Sequence, residues 1–485
     1  MTDDILFSNF TYNPSSYYFL YVGDIKNYGL NFFLQDALAR NFRKNVEFIA
    51  IVPDILVQYN YRNLVVINPH IEKHRRSNGS QVSCRIDSAN FMRAVSENKE
   101  LQRIISRILE HQNHLYINMY ESVPEMTLDE QFEEVEILGP DKRIAKRLNN
   151  KAVQYELLKD IVPVVDFRIC RGRDTMLAAA EQLRQQWTDG IFVSHVYSAA
   201  GVGSAVTHCR DDILSNFAVG DDTFLISRYI PHDFDPTVLA VVANEDEVYI
   251  AGVADQIIRD GNRFVGSTYP SKLADSLQQE LREHTRAVGS VMAKEGFRGI
   301  YGCDYLITRE GKVRFIEVNA RKQGTTLEFG YTLAENLPET APTLPELEYH
   351  AVVNHSFPHN CKETHSNRKN VHWGTYNYKV MKQRRTCGYI PQNPYEREAF
   401  QKVAGGELLK DFVILEHIGS NYIVLPGTFL ARVVSVARTH EDVHEGILQG
   451  KAFIELTIDK NQEDSRIKMK QDEFCFCNKE SSNGS

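Results

Sequence analysis

The chain opens on alternating blocks of apolar strand and amphipathic helix. YYFLYVG (Tyr17–Gly23) is apolar on both faces, as a buried strand is, and LNFFLQDALARNF (Leu30–Phe42) repeats its apolar positions at helical spacing. VEFIAIVP (Val46–Pro53) and NLVVINP (Asn63–Pro69) read as two further strands, each closed by proline. This rhythm predicts an α/β unit built on a parallel sheet. FMRAVSENKELQRIISRILEHQ predicts one long amphipathic helix over Phe91–Gln112. No G-x-G-x-x-G turn follows the first strand, so a dinucleotide site is not expected.

The texture changes at Asp141. One helix is expected over Asp141–Ile161, then a strand in VPVVDF, a helix over Thr175–Trp187 and a strand over Gly190–Val196. A small-residue loop, SAAGVGSAV, follows at Ser198–Val206. Successive strands are expected between Asp222 and Ile258. Ser271–Gly296 reads as a helix with Leu273, Leu277, Leu281 and Val288 on its apolar stripe and Gly296 at its end. Leu337–Asn370 has little periodicity and reads as a connector. Strand and helix signals resume from Val371, and the last residues read as a disordered tail.

Composition narrows the class. The 485 residues suit two to four domains, and 42% apolar with 25% charged residues is ordinary for a globular chain with a core. A formal charge of -9 argues against a surface built for nucleic acid. No apolar run reaches the roughly 20 residues that span a bilayer. The acidic start, MTDDILFSNF, lacks the basic character of a secretory signal, so a cytoplasmic protein is expected. Eight cysteines do not make a disulfide framework in a chain this long, and Cys475 and Cys477 read as free thiols. The scattered histidines between His350 and His372 lack zinc spacing.

Chemistry concentrates in GIYGCDYLITREGKVRFIEVNARKQGTT, Gly299–Thr326. It reads as a hairpin turning at Glu310-Gly311. A two-residue or a four-residue loop gives the same register, with Asp304 facing Glu317 and Gly302 facing Asn319. Asp304, Glu317 and Asn319 then share a face. Like charges directly opposite on a sheet repel, so such a pair implies a cation between them. Three oxygen donors suit Mg²⁺, with Gly302 leaving room for the ion. The alternative is a solvated face paired with Lys or Arg. In that register Tyr305, Ile307, Ile316 and Val318 form the opposite apolar face, while Leu306 and Phe315 flank the acids as if lining a cleft.

The acid, hairpin and F-I-E-V-N-x-R pattern resembles the magnesium-binding hairpin of the ATP-grasp superfamily, over roughly Asp141–Thr326. The resemblance implies Asp304, Glu317 and Asn319 as ligands of Mg²⁺ (Mn²⁺ being an acceptable substitute) and Arg321 as the group that steadies a reacting carboxylate or acyl phosphate. It implies ATP as cosubstrate, with phosphates met by Lys151 and by the loop residues Ser198, Gly201, Gly203 and Ser204. His195 stands on the strand where the family usually has Lys. ISRYIPHDF resembles the adenine hinge, implying the Arg228 carbonyl and the Ile230 N–H, with Asp233 and Asp235 at the ribose and Leu306 and Ile316 around the ring.

The resemblance further implies an ATP-dependent carboxylate–amine ligase acting through an acyl phosphate, with small carboxylate and amine substrates such as amino acids or peptides. Asp255, Gln256, Tyr269, Gln323 and Thr325 are the candidate substrate contacts. The layout is similar to pheganomycin-type peptide ligases: a pre-ATP-grasp α/β domain at 1–140, an ATP-grasp core at 141–345, a C-terminal α+β domain at 346–475 and a tail at 476–485. No nucleic-acid or membrane partner is expected, and a homodimer is left open. A biotin-carboxylase-like enzyme and a non-catalytic ATP-binding scaffold are the competing readings. Against the first, Gly324-Thr325-Thr326 stands where that branch has V-E-H.

Overall fold

The computed structural model describes residues 5–458, apart from 57–58, 71–85, 200–201, 208–212, 214–216, 218–221, 260–262, 365–366, 387–395, 417, 419–421 and 425. The C-terminal tail, Cys475 and Cys477 lie outside the described residues.

The first sheet contains β1 (Phe7–Ser8), β2 (Tyr17–Val22), β3 (Val46–Val52), β4 (Leu64–Val66), β5 (Leu115–Met119) and β6 (Val135–Leu138), in the order β1-β4-β3-β2-β5-β6. All neighbours run parallel except β1 with β4. Its central strands are buried on both faces, which is why their sequences are continuous apolar runs. Phe19, Tyr21 and Phe48 pack toward α1 (Leu30–Phe42). Leu20, Val22 and Ile49 pack toward α2 (Ser88–Glu97) and α3 (Lys99–Leu109). The single long helix expected over Phe91–Gln112 is therefore two. Asn98 leaves helical geometry and its side chain accepts a hydrogen bond from the Leu101 N–H, so it caps α3 and ends α2.

The same device splits the helix expected over Asp141–Ile161. After a short α4 (Leu128–Gln131) come α5 (Lys142–Leu148) and α6 (Lys151–Leu158), and Asn150 caps α6 by accepting from the Ala152 and Val153 N–H groups. This cap sets Lys151 at the first position of α6.

A four-stranded antiparallel sheet follows, with order β7 (Phe167–Arg171), β10 (Thr223–Arg228), β8 (Ile191–Ala199) and β9 (Val202–Thr207). Its outer face packs on α7 (Arg173–Gln186) through Met176, Ala180 and Val193.

The third sheet is antiparallel and has nine strands. It runs β11 (His232–Phe234), β15 (Gly299–Thr308), β12 (Pro236–Val242), β13 (Val248–Arg259), β14 (Arg263–Tyr269), β17 (His372–Lys379), β21 (Phe429–Ala437), β19 (Lys410–Glu416), with β16 (Val313–Asn319) also pairing β15. The strands after residue 371 thus continue this sheet through β14 and β17. β18 (Arg384–Thr386) and β20 (Tyr422–Val424) form a separate ribbon. One face carries α8 (Asp275–Lys294), whose Leu281 and Val288 are buried as the stripe predicts. The other face carries α9 (Thr326–Asn336), α10 (Leu344–Tyr349) and α11 (Glu396–Gly405). The connector expected at Leu337–Asn370 thus contains a helix. α10 is too short to show periodicity, but Thr343 and Glu346 form a capping box and all six residues are buried. A last helix, α12, spans 440–458. No helix among the described residues is long and apolar enough to cross a membrane.

Candidate functional site

A cavity of about 360 Å³ lies between the four-stranded and nine-stranded sheets. The β15–β16 hairpin forms one wall. Asp304 faces Glu317 and Gly302 faces Asn319, as expected. Nearer the turn the register slips by one, because Tyr305 faces Phe315 and Ile307 faces Val313. The turn is Arg309-Glu310-Gly311, closed by the Gly311 N–H donating to Thr308 O, and Gly311 sits at φ +75° where a side chain would be strained. The extra residue is Ile316, a β-bulge. It reverses the expected faces: Phe315 joins Tyr305 and Val313 in the core, while Ile316 joins Leu306 on the cavity wall.

The three candidate ligands converge. Asn319 Nδ2 donates to Asp304 Oδ2 at 3.0 Å. Asp304 Oδ1 is buried with no hydrogen-bond partner among the described residues. Burial raises the Asp304 carboxyl above the usual carboxylate range, against hydrogen bonds from Thr237 and Asn319. Glu317 is in contact with the Lys151 ammonium. Asn319 Oδ1 accepts from Arg321 Nη2 at 2.9 Å. Burial lowers Lys151 to about 8, with Asp304 opposing and Arg321 assisting. Two carboxylates and an amide thus meet around one unsatisfied oxygen, with the Lys151 and Arg321 cations balancing the charge. This donor set fits a hard divalent cation once Lys151 and Arg321 turn aside. Among the described residues no group of three or more His, Cys, Asp or Glu makes a metal cluster, and here one donor is an amide.

Gly302 serves a different purpose from the one expected. A Cβ there would lie 2.0 Å from Gln323 Oε1, so the missing side chain makes room for Gln323, not for an ion. Gln323 Nε2 donates to the Thr237 and Thr325 hydroxyls at 3.0 and 3.2 Å. Gly302→Ala should push Gln323 off both hydroxyls. Because the clash falls on the end of a flexible side chain, stability should change by about 1 kcal/mol or less. Substrate KM should rise ten- to a hundredfold, the scale of a misplaced positioning group. An unchanged KM would remove Gln323 from the substrate wall.

The opposite wall comes from the smaller sheet. Phe192, Ser194, Val206, Leu225 and Ser227 face the cavity with Ser198 and Ser204. His195 does not. Side chains alternate along β8, so Ser194 takes the inward position, and His195 packs against Phe217 and Phe224 on the outer side. Its Nδ1 lies 3.6 Å from Asp222. Gly203 sits at φ +74° beside His195, and Gly201 lies outside the described residues.

The hinge residues Arg228 and Ile230 line the cavity, and among the described residues the Ile230 N–H has no hydrogen-bond partner. Asp235 lines it too, held by His232 Nε2 at 2.8 Å. Asp233 is exposed beside Arg309 and lies off the cavity wall. Gln256 and Thr325 line the cavity, but two other candidate substrate contacts do not. Asp255 accepts from the Ser271 hydroxyl and the Lys272 N–H, pinning the start of the α8 segment. Tyr269 stacks on Trp373 in the apolar layer beneath α9.

Other wall residues carry no motif in the sequence. Lys26 and Tyr120 follow β2 and β5 of the first sheet, and Asn377 and Arg432 belong to β17 and β21. Glu121 reaches Arg321 Nε at 3.8 Å. Burial works against the Arg321 charge, but Tyr120, Glu121 and Asp304 outweigh it. The only sequence signal for Lys26 and Tyr120 is their place at the carboxyl ends of parallel strands.

Comparison with known proteins agrees with this architecture. The N5-carboxyaminoimidazole synthase of Aspergillus clavatus, solved with ADP and 5-aminoimidazole ribonucleotide, has a TM-score of 0.54 at 14% identity, covering 91% of this chain and 99% of that one. Biotin carboxylase of Campylobacter jejuni has a TM-score of 0.56 at 14% identity, covering 88% and 89%. Both likenesses are of fold. A curated relative, the [butirosin acyl-carrier protein]–L-glutamate ligase of Niallia circulans, is 24% identical over 203 residues, 40% of this chain and 48% of the relative, so the chain spans about half the length of the relative it matches. Residues 149–325 match the ATP-grasp domain family, and the chain is an α/β multidomain protein carrying an ATP-grasp domain.

Proposed function

We propose that the chain is an ATP-dependent carboxylate–amine ligase that forms an amide through an acyl phosphate. The observation that carries this reading is the single cavity that runs from the 228–230 hinge, past Asp304, Glu317 and Asn319, to Arg321 and Gln323. It gives one end for a nucleotide, a paired-acid wall for its phosphates and one end for an acid. The named ligase among the relatives supports amide formation over other uses of the fold. In this reading the segments 1–140, 141–345 and 346–475 act as pre-ATP-grasp, ATP-grasp and C-terminal domains.

Leu306 and Ile316 would flank the adenine, with the Ile230 N–H and the Arg228 carbonyl on its polar edge. Mg²⁺ on Asp304, Glu317 and Asn319 would neutralise charge on the phosphates. Lys151, released from Glu317, would meet a phosphate oxygen. Ser198, Gly203 and Ser204 would offer hydroxyls and backbone N–H groups to the anion. Arg321 presents a planar fork to the acid and holds it in line. The acid's oxygen attacks the terminal phosphorus, and the bond to ADP breaks. The amine nitrogen then attacks the acyl carbon, and phosphate leaves with the proton that nitrogen sheds. The small-residue loop expected over Ser198–Val206 belongs largely to the antiparallel β8–β9 pair, and closure of that pair, which carries Ser198 and Ser204, would keep water from the acyl phosphate.

Release of ADP in Mg²⁺ with pools of carboxylic acids and amino acids tests the reading. Turnover that requires both an acid and an amine is the expected result. Turnover that requires bicarbonate, with no added acid, would replace it with a carboxylase. Tight ADP binding without turnover under any pool would leave a scaffold.

A further inference from the structure

The first sheet meets the cavity at one special place. Its strand order reverses between β2 and β5, and open parallel sheets bind ligands at the carboxyl ends of strands flanking such a reversal. Lys26 follows β2 there, and Tyr120 directly follows β5. The Lys26 ammonium lies 5.2 Å from the Tyr120 ring centre and 5.8 Å from that of Phe429. Phe429 begins β21, where a register shift brings Phe429 and Arg432 opposite Lys379 and Asn377, so all four lie on one face. Lys26, Asn377 and Arg432 all line the cavity.

These groups retain unmet bonding capacity. Among the described residues Arg432 uses only Nη2 on protein, toward Gly324 O and Glu328, and it is 4% exposed. Lys26 pairs with Asp24 at 2.8 Å, which uses one of three donors. Asn377 Oδ1 and the hydroxyl of Ser267, itself 1% exposed, are buried on the same cavity and make no hydrogen bond among the described residues. Buried polar groups normally find partners, so orphans facing a cavity indicate a polar ligand. Arg321, the fork assigned to the reacting acid, is already served by Asn319 and Glu121.

We propose that Lys26 and Arg432 form a second anion subsite, which holds a carboxylate or phosphate that the substrate carries in addition to its reacting end. The subsite follows from these residues alone, while its assignment to a ligase substrate rests on the function proposed above. Arg432 Nη1 and Lys26 Nζ donate to the anion, and Asn377 Oδ1 and the Ser267 hydroxyl meet a neighbouring donor on the same molecule. The ligand class is thus a small molecule with two anionic groups, or an amino acid with an acidic arm.

The test uses the full chain with saturating MgADP, so that the phosphate end of the cavity is filled. Succinate is compared with butyrate, and O-phospho-L-serine with L-serine, by calorimetry. At least one dianion is expected to bind tenfold or more tightly than its matched partner, and which pair discriminates tells carboxylate from phosphate. Lys26→Met should cut that ratio to below threefold. Arg432→Met should do the same if it folds, and Lys26→Met keeps the test decisive if it does not. The subsite is overturned if neither pair is discriminated tenfold, or if Lys26→Met retains the full ratio. MgADP binding is measured in every protein. Its failure would sink the nucleotide reading, whereas good MgADP binding with no dianion preference would sink the subsite alone.

Discussion

Glu317→Gln is expected to lower Mg²⁺-dependent turnover by about three orders of magnitude, with the fold preserved. Glutamine has the same shape and leaves the β15–β16 pairing untouched. What changes is charge. Glu317 is one of two carboxylates opposed across the hairpin and the counter-ion of Lys151. Its loss would remove one of the three proposed Mg²⁺ donors and free Lys151 to approach the remaining acid, Asp304, whose Oδ1 has no partner among the described residues. Because the substrates are not yet named, a second readout is needed. In the native protein Mg²⁺ should tighten ADP binding at least tenfold, and in the Gln variant the two affinities should agree within about twofold. A variant that keeps both activity and the Mg²⁺ effect would remove Glu317 from the metal site, whatever the fate of the ligase reading.

The hairpin was readable because its information is local. Paired acids, the turn glycine and strand alternation sit within thirty residues, and the pairing of Asp304 with Glu317 that they imply holds because the Ile316 bulge offsets a three-residue turn where the sequence predicts two or four residues. The alternation argument then failed at one place, and the position taken from the resemblance at another, for one physical reason each. A three-residue turn needs a compensating bulge, so Ile316 and Phe315 exchanged faces. On β8, the side chain that faces the cavity is Ser194 and not His195, a parity that depends on which sheet face receives α7. The helices expected over Phe91–Gln112 and Asp141–Ile161 are each two, because Asn98 and Asn150 act as caps and a helical period of apolar positions does not mark a cap inside it. Asp255 and Tyr269 lie off the cavity wall because a sequence does not say which polar group a neighbouring N–H will claim or which ring will stack in the core, as Lys272 claims Asp255 and Trp373 stacks on Tyr269.

The rest of the site was illegible for a different reason. Lys26, Tyr120, Asn377 and Arg432 reach the cavity from strands more than 25 residues outside the hairpin on either side, and no local pattern marks them. Their placement depends on how three sheets are set against one another. Strand order in the first sheet tells where ligands gather, but it becomes known only once the sheet is seen. The recognisable segment therefore accounts for the part of the cavity proposed to hold nucleotide, and the flanking segments supply much of the part that, in the same reading, would decide what is joined to what.

The contact that sets the first sheet against the hairpin should also be the costliest to break. Lys322, 2% exposed, donates to Glu348 of α10 at 2.6 Å and to Met119 O of β5 at 2.8 Å. Glu348, 1% exposed, also accepts from Asn118 Nδ2 at 3.1 Å. One buried ion pair thus ties the hairpin exit, the first sheet and α10 together. Lys322→Met strands a buried carboxylate and should cost about 3–5 kcal/mol, whereas Lys322→Met with Glu348→Leu should recover most of that, because no charge is left unpaired. A thermal midpoint that falls steeply in the single variant and returns in the double is the expected pattern. Lys322 also stands between Arg321 and Gln323, and Met119 directly precedes Tyr120. The double variant, though stable, should therefore bind the proposed acid substrate more weakly, since the Lys322–Met119 O bond no longer fixes the Tyr120-Glu121 segment beside Arg321. A double variant as active as the native chain would show that the pair secures the fold without setting the position of Arg321. An equally destabilised double variant would show that packing, and not the unpaired charge, is what the junction depends on.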